Sequence, residues 1–289
     1  MENINDLDLY KFYMDSPLES HKWSSYFYIY EDLFREFKGK KVTFVEVGVH
    51  HGGSLFMWKK YFAKDSRIIG IDLNPNAKKL EEYGFEIFIG DQSDDIFWDN
   101  FFKKVGNIDI LLDDGSHVYL DQIKTLKSAI PFIKNSGLVV IEDIHTSFMK
   151  KFGYKSTKTF SDFIAKITDN LHKKHPYSEL KTNESTYDNI YKITTFESIV
   201  AFHINSNFNI LNESVMNNNF GIGSTDFRFS NKFIGRLLNL YQKIEDKYYD
   251  KKSNFLIKVL LKINHLLIKS TNKIYFTFNI RKINKFFKF

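Results

Sequence analysis

Leu111-Leu112-Asp113-Asp114-Gly115-Ser116-His117 and Val140-Ile141-Glu142-Asp143-Ile144-His145-Thr146 are the two stretches that decide the fold of this 289-residue chain. Each begins as an apolar run typical of a buried strand and ends in two adjacent acids. If both strands belong to one parallel sheet, their carboxyl ends lie side by side. Four carboxylates then share one crevice with a histidine, which is unfavourable unless a cation or protons compensate the charge.

The two stretches lie within a regular alternation of strands and helices. This alternation predicts an α/β fold, a Rossmann-like, doubly wound and mostly parallel sheet with a final antiparallel strand. Helices are predicted within residues 1–40, and a Lys-rich helical insertion at 145–175 is expected to cover the site. The predicted strands span residues 42–49, 67–72, 86–91, 108–113, 137–142, 189–196 and 198–204.

Composition limits the class of protein. The chain contains no cysteine, so it has no disulfide and no thiolate metal site, and a reducing cytoplasm is compatible with it. It has no apolar run long enough to span a membrane, and its acidic start lacks the apolar segment of a secretory signal. We therefore expect a cytoplasmic protein.

Charge is distributed unevenly along the chain. The formal net charge is +6, but residues 231–289 carry 14 Lys and Arg against 3 Asp and Glu. The first 230 residues are therefore mildly acidic, which argues against nucleic acid and for a catalytic body with a basic appendage. The predicted organisation is a helical N-terminal segment (1–40), a catalytic domain (41–205), a loop or linker (206–230) and a basic helical extension (231–289).

A glycine-rich turn follows the first predicted strand. The strand contains Glu46-Val47-Gly48, and His50-His51-Gly52-Gly53-Ser54 comes directly after it. Glycines here allow a ligand to approach the backbone closely, although the spacing is neither a dinucleotide fingerprint nor a phosphate-binding Walker loop. The second strand ends in Asp72, where an acid can hold ribose hydroxyls or merely cap a helix.

Glu46-x-Gly48, Gly52-Gly53-Ser54, Ile71-Asp72-Leu73-Asn74-Pro75 and Gly90-Asp91-Gln92, in that order, resemble the class I S-adenosylmethionine-dependent methyltransferases. The resemblance covers residues 40–145, and more loosely 20–205. It implies S-adenosylmethionine as cofactor. The residues that it implies at the cofactor are Glu46, Gly48, Gly52, Gly53, Ser54, Asp72, Asn74, Asp91, Gln92, Asp113 and Ser116, with Asp113 either facing the cofactor or structural.

The two opening stretches resemble those of magnesium-dependent sugar O-methyltransferases of the macrolide-sugar type and their cephalosporin-hydroxylase-like relatives. The resemblance implies methyl transfer to a sugar hydroxyl. It implies that Asp114, Glu142 and Asp143 bind Mg²⁺ and that His117 is the general base, with Asp114 also catalytic. Hard carboxylate oxygens suit Mg²⁺. The implied acceptor is a sugar, nucleotide sugar or glycan of capsule, lipopolysaccharide or other glycoside biosynthesis.

Alternatives remain open at this stage. His145 is a rival base, or has a metal-side or lid role, and Lys22 and Tyr26 are candidates for the ligand entrance. The acceptor could instead be a small hydroxylated molecule or a phosphoramidate, and the chain could be a scaffold subunit without catalysis. The basic tail could contact an anionic membrane surface or a partner protein, take part in a homo-oligomer, or pack on the body.

Overall fold

The computed structural model describes residues 3–153, 158–180, 186–208, 213, 215, 217, 233–248, 254–284 and 286–287. The chain forms two compact units, Met1–Ser214 and Val215–Phe289. The expected linker at 206–230 lies almost entirely outside the described residues. The predicted domain boundaries therefore stay predictions.

The first unit is built on a seven-stranded sheet in the order β3-β2-β1-β4-β5-β7-β6. Pairing from β3 to β5 is parallel, whereas β7 is antiparallel to both β5 and β6. The predicted fold class is thereby confirmed. The strands are β1 (Thr43–Val47), β2 (Arg67–Asp72), β3 (Glu86–Ile89), β4 (Ile108–Asp113), β5 (Ile133–Ile141), β6 (Ile190–Thr195) and β7 (Val200–Ile204).

Helices cover both faces of the sheet, and each face has its own apolar core. β1 is buried along its whole length. Its mostly apolar, β-branched sequence is what a strand at the centre of a parallel sheet needs, because helices cover both of its faces. The helices of the first unit are α1 (Asp8–Met14), α2 (Ser24–Phe34), α3 (Gly53–Tyr61), α4 (Asp95–Val105), α5 (Tyr119–Ala129), α6 (Lys150–Gly153) and α7 (Phe160–Lys173).

The central strands end level with one another. Val47 of β1 is in register with Asp113 of β4, and Asp113 is in register with Ile141 of β5. Residues that directly follow these strands therefore emerge at the same edge of the sheet. This register places the two acidic stretches side by side, as their sequence pattern predicts.

The N-terminal segment packs into the same core. Tyr30 and Phe34 of α2 make edge-to-face contacts with Trp58 of α3. Between α1 and α2 the chain crosses the start of α3, where the Gly53 amide donates to the Glu19 carbonyl at 3.2 Å. A side chain on Gly53 would clash with the backbone at Leu18 and Glu19. This crossing carries the residues just before α2 to the edge where the strands end.

The second unit contains α8 (Phe233–Tyr248) and α9 (Phe255–Ile283). The two helices pack together, and the buried Asn264 amide donates to the Tyr241 carbonyl at 2.7 Å. Among the helices that the structure describes, none combines the length and the apolar character that crossing a membrane requires.

Candidate active site

A cavity of about 920 Å³ opens at the carboxyl ends of the parallel strands. It reaches from Asp72 and Asp91 at one end to Asp114, His117 and Asp143 at the other. Its volume is in the range of small-molecule and cofactor sites. The residues predicted for the cofactor and those predicted for the metal therefore line one continuous space.

The glycine turn after β1 lines the cavity. Gly48 has a φ of +83°, and a Cβ at this position would lie 2.2 Å from the Asp114 carbonyl oxygen. Only glycine fits, because both the backbone conformation and the neighbouring chain exclude a side chain. The absent side chain lets the turn after β1 pack directly against the backbone of Asp114 and Gly115 after β4.

Asp72 braces this turn. Its Oδ2 accepts hydrogen bonds from the Val49 amide at 3.0 Å and the His50 amide at 3.1 Å. Its Oδ1 accepts from the Asn74 amide at 2.8 Å. Asp72, Asn74 and Asp91 all line the cavity. Asp72 is thus more than a helix cap, since it joins the loop after β1 to the end of β2.

Two acids predicted at the cofactor, Glu46 and Asp113, lie behind the cavity wall, whereas Ser54, Gln92 and Ser116 line the cavity. Glu46 is fully buried and accepts from the Ser54 hydroxyl at 2.8 Å, and burial raises the pKa of Glu46 to about 7. Asp113 is also buried, with its pKa raised to about 7. Gln92 donates to Asp113 and accepts from the Ser116 amide at 2.8 Å. These side chains hold the loops in place.

Asp114, His117 and Asp143 form the cluster best suited to a metal ion. Each offers one ligand atom, and these atoms lie within 4.8 Å of one another. His117 Nε2 lies 3.4 Å from Asp143 Oδ2 and 4.0 Å from Asp114 Oδ1. Two hard oxygen donors beside an open cavity fit Mg²⁺, which keeps water in its remaining positions. If Asp114 and Asp143 alone bind the metal, His117 can face a bound hydroxyl instead.

Glu142 also borders the cavity, but its side chain is almost fully buried and its carboxylate has other partners. Its Oε2 lies 3.0 Å from Lys22 Nζ, and its Oε1 accepts a hydrogen bond from the Tyr30 hydroxyl. The side chains of Lys22 and Glu142 are each 1% exposed. Burial raises the pKa of Glu142 well above its ordinary range, although Lys22 opposes the shift. Its predicted role as a metal ligand stays a prediction, because in this geometry both of its oxygens are engaged.

Lys22 and Tyr26 both line the cavity, so their predicted place at the ligand entrance stays a prediction, and the Lys22 ammonium is also paired with acids. Its Nζ lies 2.6 Å from Asp114 Oδ2, as well as close to Glu142. Burial lowers the pKa of the Lys22 ammonium, but Asp114 and Glu142 outweigh burial and hold the pKa well above its ordinary value. Lys22 is therefore a buried cation among carboxylates.

A second hydrogen-bond network holds Asp143. The Tyr26 hydroxyl donates to Asp143 Oδ1 at 2.5 Å and lies 3.0 Å from Ser198 Oγ. His145 Nδ1 lies 2.5 Å from the same serine oxygen. Asp143, Ser198 and His117 all have a positive φ, between 55° and 66°. Such conformations are unfavourable for these residues and concentrate at functional sites.

Sequence reasoning missed Tyr30 and Ser198. Tyr30 had a usable signal, since it lies one helical turn after Tyr26 and so faces the same way. Ser198 carried no signal, because it lies in the turn between β6 and β7 and meets the site only through the antiparallel pairing of β7 with β5.

Comparison with known proteins agrees with this geometry. A family model described as a methyltransferase domain matches residues 45–144. The chain is 33% identical to 8-demethyl-8-alpha-L-rhamnosyl tetracenomycin-C 2'-O-methyltransferase of Streptomyces olivaceus over 53% of this chain and 43% of the relative. It is 34% identical to mycinamicin VI 2''-O-methyltransferase of Micromonospora griseorubida over 43% and 32%. The chain thus spans less than half the length of both relatives.

The solved structure of MycE methyltransferase with Mg, SAH and mycinamycin VI shares the fold, with a TM-score of 0.61 and 22% identity. The match covers 79% of this chain and 57% of MycE. At this identity the likeness concerns the fold alone. Residues 45–144 thus match a methyltransferase-domain model, the chain shares its fold with MycE methyltransferase, and in sequence it is similar to O-methyltransferases that act on rhamnosyl tetracenomycin-C and mycinamicin VI.

Proposed function

We propose that this chain transfers a methyl group from S-adenosylmethionine to a sugar hydroxyl with the assistance of Mg²⁺. The observation that carries the proposal is the shared cavity. Asp72 and the Gly48 turn line one end, and the cluster of Asp114, His117 and Asp143 lines the other. A methyl donor and a cation-bound acceptor are then held next to each other, which is the main requirement of such a transfer.

The proposed division of roles follows from the contacts. When bound, S-adenosylmethionine supplies an activated methyl group and Mg²⁺ lowers the pKa of a coordinated hydroxyl. The Gly48 turn and Asp72 hold the cofactor side. Asp114 and Asp143 hold the metal, and Tyr26 fixes the Asp143 carboxylate through the hydrogen bond at 2.5 Å.

His117 is the proposed base. Its Nε2 faces the two metal-binding carboxylates, and its ring lies 6.0 Å from that of Phe152. A neutral imidazole there takes the hydroxyl proton at Nε2, and the neighbouring carboxylates stabilise the cation that results. The rival base, His145, is engaged with Ser198 and meets the edge of the Trp23 ring at 6.2 Å. This favours a role for His145 at the rim of the acceptor site.

The acceptor is proposed from the relatives, whose names specify methyl transfer to a rhamnosyl tetracenomycin-C and to mycinamicin VI. For this chain we propose a sugar of a bacterial surface polysaccharide or another glycoside. The test is incubation with labelled S-adenosylmethionine and a panel of nucleotide sugars, macrolide glycosides, glycan oligosaccharides and non-sugar alcohols. Labelled sugar product that disappears in excess chelator is expected. Label only in a non-sugar alcohol, or full activity in chelator, would overturn the proposal.

The second unit is proposed to bind an anionic membrane surface. Helix α9 contains six Lys and Arg residues and no Asp or Glu. Leu256, Leu260, Ile263, Leu267 and Ile274 are exposed and repeat at helical spacing along one stripe. Lys258, Lys262 and Lys269 lie on another side of the helix, where Val259 and Leu266 are also exposed one turn from Lys262. Such a mixture of positive charge and apolar surface complements anionic lipid headgroups and the acyl region beneath them.

Vesicle sedimentation of the full chain tests this membrane contact. Binding is expected to phosphatidylcholine vesicles that contain phosphatidylglycerol, and it should fall in high salt and in a Lys258→Glu/Lys262→Glu/Lys269→Glu variant. Binding that is equal with and without the anionic lipid, or absent from both, would contradict the proposal. A concentration-dependent dimer without lipid binding would instead point to self-association through the same stripe.

A further inference from the structure

The side chain of Lys22 is buried, although the residues on either side of it are exposed. The neighbouring residues His21 and Trp23 are exposed, whereas the Lys22 side chain is only 1% exposed. The segment is tied down beside it, since the Ser16 hydroxyl donates to the Gly53 carbonyl at 2.9 Å and the Gly53 amide donates to Glu19. The Lys22 side chain therefore points into the protein from the segment that crosses the start of α3.

Three carboxylates from three different strand ends surround that ammonium. Lys22 Nζ lies 2.6 Å from Asp114 Oδ2, 3.0 Å from Glu142 Oε2 and 3.6 Å from Glu46 Oε1. Glu46 lies within β1, Asp114 directly follows β4, and Glu142 directly follows β5. A single cation thus connects the strands on which both ends of the cavity are built. Removing one member of such a buried group leaves an uncompensated charge, which is strongly destabilising.

The contacts also fix the orientation of Asp114. Because Oδ2 pairs with Lys22, Oδ1 is the oxygen that faces His117 Nε2, at 4.0 Å. Glu142 is held between Lys22 and the Tyr30 hydroxyl, so it anchors Lys22 from behind. The ammonium and the cluster of Asp114, His117 and Asp143 are therefore two adjoining cation positions that share Asp114.

We propose that Lys22 is a resident counter-cation, a positioning residue that holds the acidic strand ends together in the absence of a divalent ion. With Lys22 in place, the cavity keeps its shape and the cofactor binds whether or not Mg²⁺ is present. Without Lys22, the three carboxylates repel one another, and a divalent ion has to take over the missing charge. The part that concerns cofactor binding rests on the proposed function, whereas the part that concerns stability does not.

Lys22→Met tests this role, because methionine matches the length of the lysine stem without its charge. Thermal unfolding of the full chain and calorimetric binding of S-adenosylhomocysteine are measured in chelator and in Mg²⁺. In chelator the variant is expected to unfold several degrees lower and to bind S-adenosylhomocysteine at least about tenfold more weakly than the wild type. Mg²⁺ should recover much of both losses in the variant and change little in the wild type.

A double variant separates charge balance from packing. Lys22→Met/Glu142→Gln removes the ammonium together with one of the carboxyl groups that it contacts, so it should unfold at a higher temperature than Lys22→Met alone. Lys41→Met is the matched control, since Lys41 pairs with Asp65 at 3.1 Å but is 70% exposed, and no change is expected from it. If Lys22→Met is insoluble, a soluble double variant supports the proposal.

The proposal is overturned if Lys22→Met unfolds like the wild type in chelator. It is equally overturned if the double variant is no better than the single one and Mg²⁺ restores nothing. A wild-type protein that binds no S-adenosylhomocysteine would sink the proposed function instead, and the unfolding temperatures would still decide the role of Lys22.

Discussion

The two ends of the cavity are built in different ways. The cofactor end consists largely of backbone, where the Gly48 turn and the amides of Val49, His50 and Asn74 are held by the single carboxylate of Asp72. The acceptor end consists of charged and polar side chains. There the acids after β4 and β5 are held by partners from α2 and from the segment before it, and the turn before β7 in turn contacts Tyr26 of α2.

The difference follows from the ligands proposed for each end, because a cofactor and a metal-bound acceptor need different contacts. A cofactor of fixed shape can be bound by a rigid loop that one glycine and one acid define. A metal and a sugar hydroxyl need several charged groups at defined distances, and charges so close together need counter-charges and hydrogen-bond donors around them. Five non-glycine residues of the described chain have a positive φ. Three of them, His117, Asp143 and Ser198, lie at the acceptor end, whereas His50 lies at the cofactor end and Ser136 lies in β5.

The largest effect is expected from His117→Gln at the acceptor end. Glutamine keeps a polar side chain but cannot take up a proton, so the rate of methyl transfer should fall by about 10²- to 10⁴-fold. Binding of S-adenosylhomocysteine, measured by calorimetry, should stay within about twofold of the wild type. His172→Gln is the control, because His172 lies on α7 outside the cavity. A rate that is unchanged would remove His117 from the chemistry.

Gly48→Ala tests the cofactor end. The added Cβ would meet the Asp114 carbonyl at 2.2 Å in a left-handed conformation, so we expect a loss of about 2–4 kcal/mol in the free energy of unfolding and much weaker cofactor binding. Gly39→Ala is the matched control. Gly39 also has a positive φ, +66°, but a Cβ there would meet no atom of the described residues within 4 Å.

The control should lose only the cost of the backbone conformation, about 1 kcal/mol. Chemical denaturation of the two variants measures the difference between them. Equal losses in the free energy of unfolding would mean that the close approach of Gly48 to Asp114 contributes nothing to stability. The cofactor end would then not depend on the close packing of its backbone.

Glu46 lies where the two ends meet, and its pKa makes it testable by pH. Burial raises its pKa to about 7 in the folded protein from an ordinary 4.5. The folded state then binds a proton that the unfolded state releases, so this contribution to stability is complete below pH 4.5 and is lost as the pH rises through 7. The change over this window is about 1–3 kcal/mol.

Glu46→Gln should flatten that part of the pH dependence. Unfolding by denaturant at several pH values between 4.5 and 8, without cofactor and in chelator, measures the effect. A variant whose stability follows the same pH curve as the wild type would show that Glu46 titrates normally and that its burial is compensated by Lys22 and Ser54.

Much of the sheet is predictable because each strand carries its own signal. The predicted bounds of β2 and β4 are those observed, and the register of β1, β4 and β5 follows from the parallel arrangement. The start of β5 was harder to predict, since the expected strand begins at residue 137 and the observed one at Ile133. The polar residues Lys134, Asn135 and Ser136 are exposed and resemble a loop, but they continue the strand from Ile133.

The acceptor end was predictable only in part. Asp114, His117 and Asp143 follow buried strands, so their meeting could be expected from the pattern. The partners of these residues could not, because Lys22 is separated from Glu142 by 120 positions and Tyr26 from Ser198 by 172. Such contacts depend on how α2 and β7 pack against the sheet, which local sequence patterns do not encode.

The most direct test of the two-ended site measures two affinities in two variants. Asp72→Ala should weaken S-adenosylhomocysteine binding by at least about tenfold and leave Mn²⁺ binding, as a probe of the Mg²⁺ site, near the wild-type value. Asp143→Asn should do the reverse, because Asp143 is a proposed metal ligand and its carboxylate is hydrogen-bonded to Tyr26 rather than to the loop that Asp72 holds. We therefore expect each variant to lose affinity for one ligand and to keep its affinity for the other. Equal loss of both ligands in either variant would contradict this expectation.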